Sequence, residues 1–192
     1  MTFLIATHNK KKLDEINRIL SPLGVTAVFD DTVPDVEETG LTFRENAYIK
    51  AENGCRFTGK PCIADDSGLC VDALGGAPGV FSARYAGGHD VPYDVKISTL
   101  IKELENVPYE KRTARFTCCV CCVFPDGRVL YSEQSCEGHI GYEPRGENGF
   151  GYDPIFYVGD VTTAQLSDIE KDKISHRGKA LRQFASDLRD YI

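Results

Sequence analysis

Residues 62–87, CIADDSGLCVDALGGAPGVFSARYAG, set two carboxylates, a hydroxyl and glycines directly behind a short apolar run. Cys62, Ile63 and Ala64 read as a brief buried strand, and Asp65, Asp66, Ser67 and Gly68 break it where a sheet would meet its ligand crevice. Carboxylates at such a strand end can hold a hard cation and orient a water molecule. Successive side chains on an extended segment point to opposite faces, so one acid is expected to work in the pocket while the other supports it. The same residue types build ordinary Asx turns and helix caps, so the pair alone leaves turn and catalysis both open.

Cations appear where the helix dipole favours acids. After Asn9 come Lys10, Lys11 and Lys12, and after Ser175 come His176, Arg177 and Lys179, each at the start of a helical pattern. Backbone N–H groups, dipole and cationic side chains make a phosphate site, and two such sites suit a polyphosphate; solvated surface lysines are the plainer reading of either one. Glu37 and Glu38 lie just before Gly40, and a few such oxygens with water and phosphate are what Mg²⁺ prefers. The chain has no G-x-x-x-x-G-K-[ST] run, and Gly146, Gly149 and Gly151 do not spell a dinucleotide fingerprint. Phe150 and Tyr152 among those glycines fit either a stacking platform for a base or the core.

The elements that would position these groups alternate between strand and helix. Residues 2–6 form an apolar strand, and Leu13, Ile16, Ile19 and Leu20 follow with helical spacing until Ser21-Pro22. Val25–Phe29 suggests a second strand. Thr42 to Glu45 supplies a capping box for a helix whose buried stripe is Phe43, Ala47, Ala51 and Cys55, with Lys50 off that stripe and one turn from Asn46. Tyr93–Leu104 reads as a helix, Ala114–Phe124 and Val129–Ser135 as an antiparallel hairpin around Pro125-Asp126-Gly127, and the chain closes with a helix after Ser175 along Leu181, Phe184, Leu188 and Tyr191.

Composition narrows the function classes. The 192 residues fit one globular domain over 1–192, and a net charge of -7 opposes loose binding to nucleic acid or anionic membrane. No leader pattern opens the chain and no apolar run approaches a bilayer span, so a cytoplasmic protein is expected. Eight cysteines include the run Cys118, Cys119, Cys121 and Cys122, but without Gly, Pro or a second paired cluster they read as buried strand thiols rather than a zinc site.

Taken together and in this order, ATHNKKKLDEI, EETGLTFRENAYIKA, IADDSGLCVDALGGAPGVFSARYAG, GFGYDPIF and ISHRGKAL resemble the inosine/xanthosine triphosphate pyrophosphatase family over nearly the whole length. The resemblance implies an elongated, two-lobed α/β fold with a long central mixed β-sheet flanked by helices, a homodimer, and a purine nucleoside triphosphate in a cleft between lobes. It also implies Mg²⁺-dependent cleavage of ITP, dITP and XTP to the monophosphate and pyrophosphate. Carried over by position, Thr7, Asn9 and Lys12 match the triphosphate-binding turn, Asp66 the acid that activates water and helps hold metal, and Ser67 a substrate contact. Glu37 matches the metal carboxylate, with Glu38 its neighbour, and Lys50 a cleft lysine assigned a catalytic part. Phe150, Gly151, Tyr152, Asp153, Lys171, His176 and Arg177 match nucleoside-binding positions. Lys11 stands where bacterial members commonly carry glycine, which bears on the shape of that turn. Hypoxanthine and xanthine present an acceptor at position 6 where adenine presents a donor, so donors from His176 and Arg177 would disfavour ATP. A pyrophosphatase for another modified nucleotide and a nucleotide sensor without hydrolysis are the alternatives.

Overall fold

The computed structural model describes residues 2–7 and 9–191. Seven strands form a single sheet in the order β2-β1-β3-β4-β5-β6-β7. They are β1 (Thr2–Ile5), β2 (Thr26–Val28), β3 (Cys62–Val71), β4 (Thr113–Val123), β5 (Val129–Ile140), β6 (Phe156–Val158) and β7 (Val161–Thr162). β1 runs parallel to β2 and β3, with Leu4 opposite Val28 on one side and Cys62 on the other. β5, β6 and β7 pair antiparallel, so the sheet is mixed, as expected. The helices are α1 (Lys10–Leu20), α2 (Phe43–Thr58), α3 (Tyr93–Glu103), α4 (Asp168–Ile174) and α5 (His176–Tyr191).

Local chemistry explains the boundaries that matter. Asn9 is extended and its side chain accepts from Lys12 N, so α1 starts on the lysine run. Thr42 and Glu45 form the reciprocal capping box of α2, which ends at Gly59 in the left-handed region. Phe124 and Arg128 close the tight turn between β4 and β5.

The chain divides into two compact units. The first comprises the chain as far as Asp66, Cys118–Gln134 and the stretch from His176; the second comprises Ser67–Thr117 and Ser135–Ser175. The first unit holds two cores. Ile16, Ile19 and Leu20 of α1 pack with Leu181, Phe184 and Leu188 of α5 in one, and Ala47, Ala51 and Cys55 of α2 pack with Leu4 and Ala64 in the other. The cysteine run serves both: Cys118 and Cys122 enter the first, Cys119 and Cys121 the second, as the strand period requires. Burial pushes the Cys119 and Cys121 thiols up to about 12, so they pack as neutral small residues. The second unit has its own core around Leu69, Ile97, Leu100, Phe116 and Phe156.

Two expectations change. β3 does not stop at Ala64 but continues through Asp65 and Asp66 to Val71, because both carboxylates find cationic partners that let charge remain inside a buried strand. A further helix, α4, precedes the last one, started by the reciprocal capping box of Ser167 and Glu170. Among the described residues no helix is long and apolar enough to cross a membrane.

Candidate active site

The first unit gathers most of the candidate residues around two buried acids. α1 supplies Lys12 and Glu15, β3 supplies Asp65 and Asp66, α2 supplies Lys50, and α5 supplies Arg177. Asp65 is 2% exposed, and its Oδ2 accepts from Lys12 Nζ at 3.1 Å and from Arg177 Nε and Nη2 at 3.2 and 3.1 Å. Arg177 Nη1 donates to Glu15 Oε2 at 2.7 Å, which ties α1, β3 and α5 through one guanidinium. Burial alone would raise the Asp65 carboxyl, but Lys12, Arg177 and Lys50 outweigh it and hold the group far below the usual carboxylate range.

Asp66 has a different neighbourhood, as strand alternation demands. Its Oδ1 accepts from Lys50 Nζ at 3.0 Å, and the same Nζ donates to Glu38 Oε1 at 2.8 Å. The other carboxylate oxygen, Oδ2, is enclosed without a hydrogen-bond partner. Burial pushes Asp66 above the usual carboxylate range, with Lys50 and Lys12 opposing the shift. Burial would depress Lys50, yet Asp66, Asp65 and Glu38 hold its ammonium above the ordinary lysine value. Asp65 is therefore a fixed anion, and Asp66 is the more basic carboxylate.

Thr7 and Asn9 shape the turn ahead of Lys12: Asn9 N donates to Thr7 Oγ1 at 3.2 Å, and Asn9 Oδ1 accepts from Lys12 N at 3.2 Å. Glu37 is exposed, whereas Glu38 is half-buried and carries the contact to Lys50. His176 opens α5 and is buried.

The second unit holds Ser67, half-buried on β3, and the glycine-rich segment. Asp153 organises that segment: its Oδ2 accepts from Lys171 Nζ at 2.6 Å and Phe150 N at 2.8 Å, and its Oδ1 accepts from Thr163 Oγ1 at 2.7 Å. A Cβ on Gly149, whose φ is +72°, would stand 2.2 Å from Asp153 Oδ2, so only glycine lets the loop close onto that carboxylate. The two aromatics separate in role. Phe150 is half-buried with Lys171 Nζ 4.8 Å from its ring centre, while Tyr152 is core, its hydroxyl donating to Ser82 O and its ring edge-on to Tyr93.

Glu15 of the first cluster was not singled out from the sequence, and Asp65 was expected as a supporting acid without its partners. Glu15 was legible as an acid interrupting the apolar stripe of α1, a position that demands a buried cation. Asp65 as the anchor of both Lys12 and Arg177 was not legible, because that pairing joins residues 112 apart in the chain.

A mixed sheet that carries acids on an interior strand, matched by cations from three helices, defines an α/β protein built around a buried carboxylate–cation centre. Residues 3–187 match the model of the Ham1 family, and the chain belongs to that family. It is 50% identical over 188 residues to the dITP/XTP pyrophosphatase of Bacillus licheniformis, covering 95% of each chain, and 47% identical over 186 residues to that of Halalkalibacterium halodurans, covering 94% and 95%. Its structure resembles a HAM1 protein from Coxiella burnetii with a TM-score of 0.90 at 42% identity, covering 99% of both chains. The Ham1 protein of Staphylococcus aureus gives 0.88 at 39% identity, covering both chains in full.

Proposed function

We propose that this chain hydrolyses deaminated purine nucleoside triphosphates, dITP, ITP and XTP, to the monophosphate and pyrophosphate, and so clears them from the nucleotide pool. The observation that carries the reading is the pair of adjacent buried acids with opposite electrostatics, Asp65 held as an anion by Lys12 and Arg177 and Asp66 bonded to Lys50 with its carboxyl shifted upward by burial. The names of its Ham1 relatives agree with it.

The donor set suits Mg²⁺, which takes one or two carboxylates and completes its shell with water and phosphate oxygens. Asp66 Oδ2 offers an enclosed carboxylate oxygen with no competing donor, and Glu37 and Glu38 supply hard oxygens from the neighbouring turn. Asp66 and Glu37 would hold the ion, with Glu38 beside them, and the bound ion would offset charge on the phosphate oxygens. The chain's own groups do the rest. Lys12 and Lys50 donate to phosphate oxygens as negative charge builds. Asp66 accepts the proton of the attacking water while the α–β phosphoanhydride bond breaks and pyrophosphate leaves. Thr7 and Asn9 present the turn at the start of α1 to the phosphates. Ser67, Phe150, Gly151, Tyr152, Asp153, Lys171 and His176 are assigned to nucleotide binding, with Asp153 and Tyr152 acting by fixing their loop. Arg177 belongs to the same set, and its guanidinium acts through Asp65 and Glu15.

The reading includes a homodimer of single-domain chains acting in the cytoplasm. Its test is pyrophosphate release from ITP, dITP, XTP, GTP and ATP at matched concentrations, with and without Mg²⁺. Release from the first three that depends on Mg²⁺ and exceeds that from ATP and GTP supports it. Nucleotide binding without release would make the chain a sensor, and preference for another modified nucleotide would reassign the substrate.

A further inference from the structure

Asn46 lies on α2 one helical turn before Lys50, on the same face of that helix, and is fully buried. A wholly enclosed amide on a helix face is costly unless both ends of it are used. Its Oδ1 accepts from Gly40 N at 2.8 Å, and its Nδ2 has no acceptor. Gly40 presses so closely on α2 that a Cβ there would stand 2.6 Å from Asn46 Oδ1 and 2.6 Å from Glu45 Cβ. The backbone two and three residues before this clamp carries Glu38, bonded to Lys50, and Glu37.

We infer that Asn46 is a positioning residue that clamps the Glu37–Glu38 turn to α2 and so sets the distance of those carboxylates from Asp66, ready for a divalent cation. The inference rests on the proposed metal-dependent reaction. The amide fixes the turn through its oxygen, which accepts from Gly40 N, while Glu38 of the same turn accepts from Lys50 one helical turn further along α2.

The test compares wild type with Asn46→Ala, Asn46→Asp and Gly40→Ala. Mn²⁺ binding is read by electron paramagnetic resonance without nucleotide, and amide exchange is read over residues 37–41. Asn46→Ala should weaken Mn²⁺ binding about tenfold, as loss of a ligand-orienting partner does. It should also speed exchange at Gly40 and leave KM for ITP at saturating metal within about threefold. Asn46→Asp keeps the acceptor for Gly40 N, so it should retain slow exchange there. Gly40→Ala, which leaves Asn46 in place but forces the turn away, should match Asn46→Ala and keeps the test valid if that variant folds poorly. Wild-type Mn²⁺ affinity in both alanine variants, equal impairment in Asn46→Asp and Asn46→Ala exchange, or no Mn²⁺ binding by wild type would overturn the inference. Wild-type Mn²⁺ binding without any ITP turnover would instead overturn the proposed function and leave the clamp standing.

Discussion

At the scale of single residues, the two neighbouring acids make opposite demands on stability. Asp66 has a folded-state pKa above its unfolded value, so the folded chain binds more protons between those values and loses stability as pH rises through that window. Asp66→Asn removes that penalty, and the metal-free variant is expected to melt above wild type at pH 7, with the gap closing near pH 4. Turnover should fall by about 10³ while nucleotide binding is largely kept, as expected for loss of a general base; near-normal turnover in a steady-state assay would refute the role. Asp65 behaves in the other direction. Its depressed pKa gives stability that is present above its unfolded value near 3.8 and lost only as pH falls through the lower folded value. Asp65→Asn leaves Arg177 and Lys12 without their shared anion and should cost about 3–5 kcal/mol at pH 7, measured by urea denaturation. The residue types at 65–68 made an acid centre legible, because strand alternation already separates adjacent acids. Which acid is locked as an anion and which is shifted upward was not legible, since the deciding cations arrive from α1, α2 and α5.

At the scale of elements, α2 and β3 carry the ion-paired Lys50 and Asp66, and their spacing is set where the two elements pack. Gly54, one turn beyond Lys50, lies against Cys62 at the start of β3: a Cβ there would stand 2.5 Å from Cys62 Sγ and 3.3 Å from Leu4 Cδ2. Gly54→Ala is expected to cost about 1–3 kcal/mol through overpacking. Cys62→Ala should return part of that loss, a non-additivity readable in a double-mutant cycle. If the double variant is simply the sum of the single ones, the contact does not set the spacing. Helix starts were the most legible elements, because Asn9, Thr42 and Glu45 act through bonds within three residues. The extent of β3 was the least legible, because a charged pair in a strand is stable only with partners that local patterning does not reveal.

At the scale of the molecule, each unit has its own core, yet the backbones of β3, β4 and β5 each contribute residues to both. A strand cannot lose its ladder at one end and keep full cooperativity at the other, so one unfolding transition is expected for the whole chain. Arg112 offers a way to perturb one unit alone. It is 1% exposed and donates to Leu104 O at 2.6 Å, Val107 O at 2.9 Å and Gly141 O at 3.1 Å, closing the C-terminal end of α3 within the second unit. Arg112→Met strands those carbonyls in a buried setting and should cost about 3 kcal/mol. Far-ultraviolet circular dichroism reports both units, while amide exchange resolves α1 and α5 in the first from α3 in the second. Shared strands predict that the variant lowers the midpoint seen by dichroism and speeds global exchange equally in α1, α3 and α5. Faster exchange confined to α3, or a second dichroism transition, would show that the units unfold separately and that the chain is two domains.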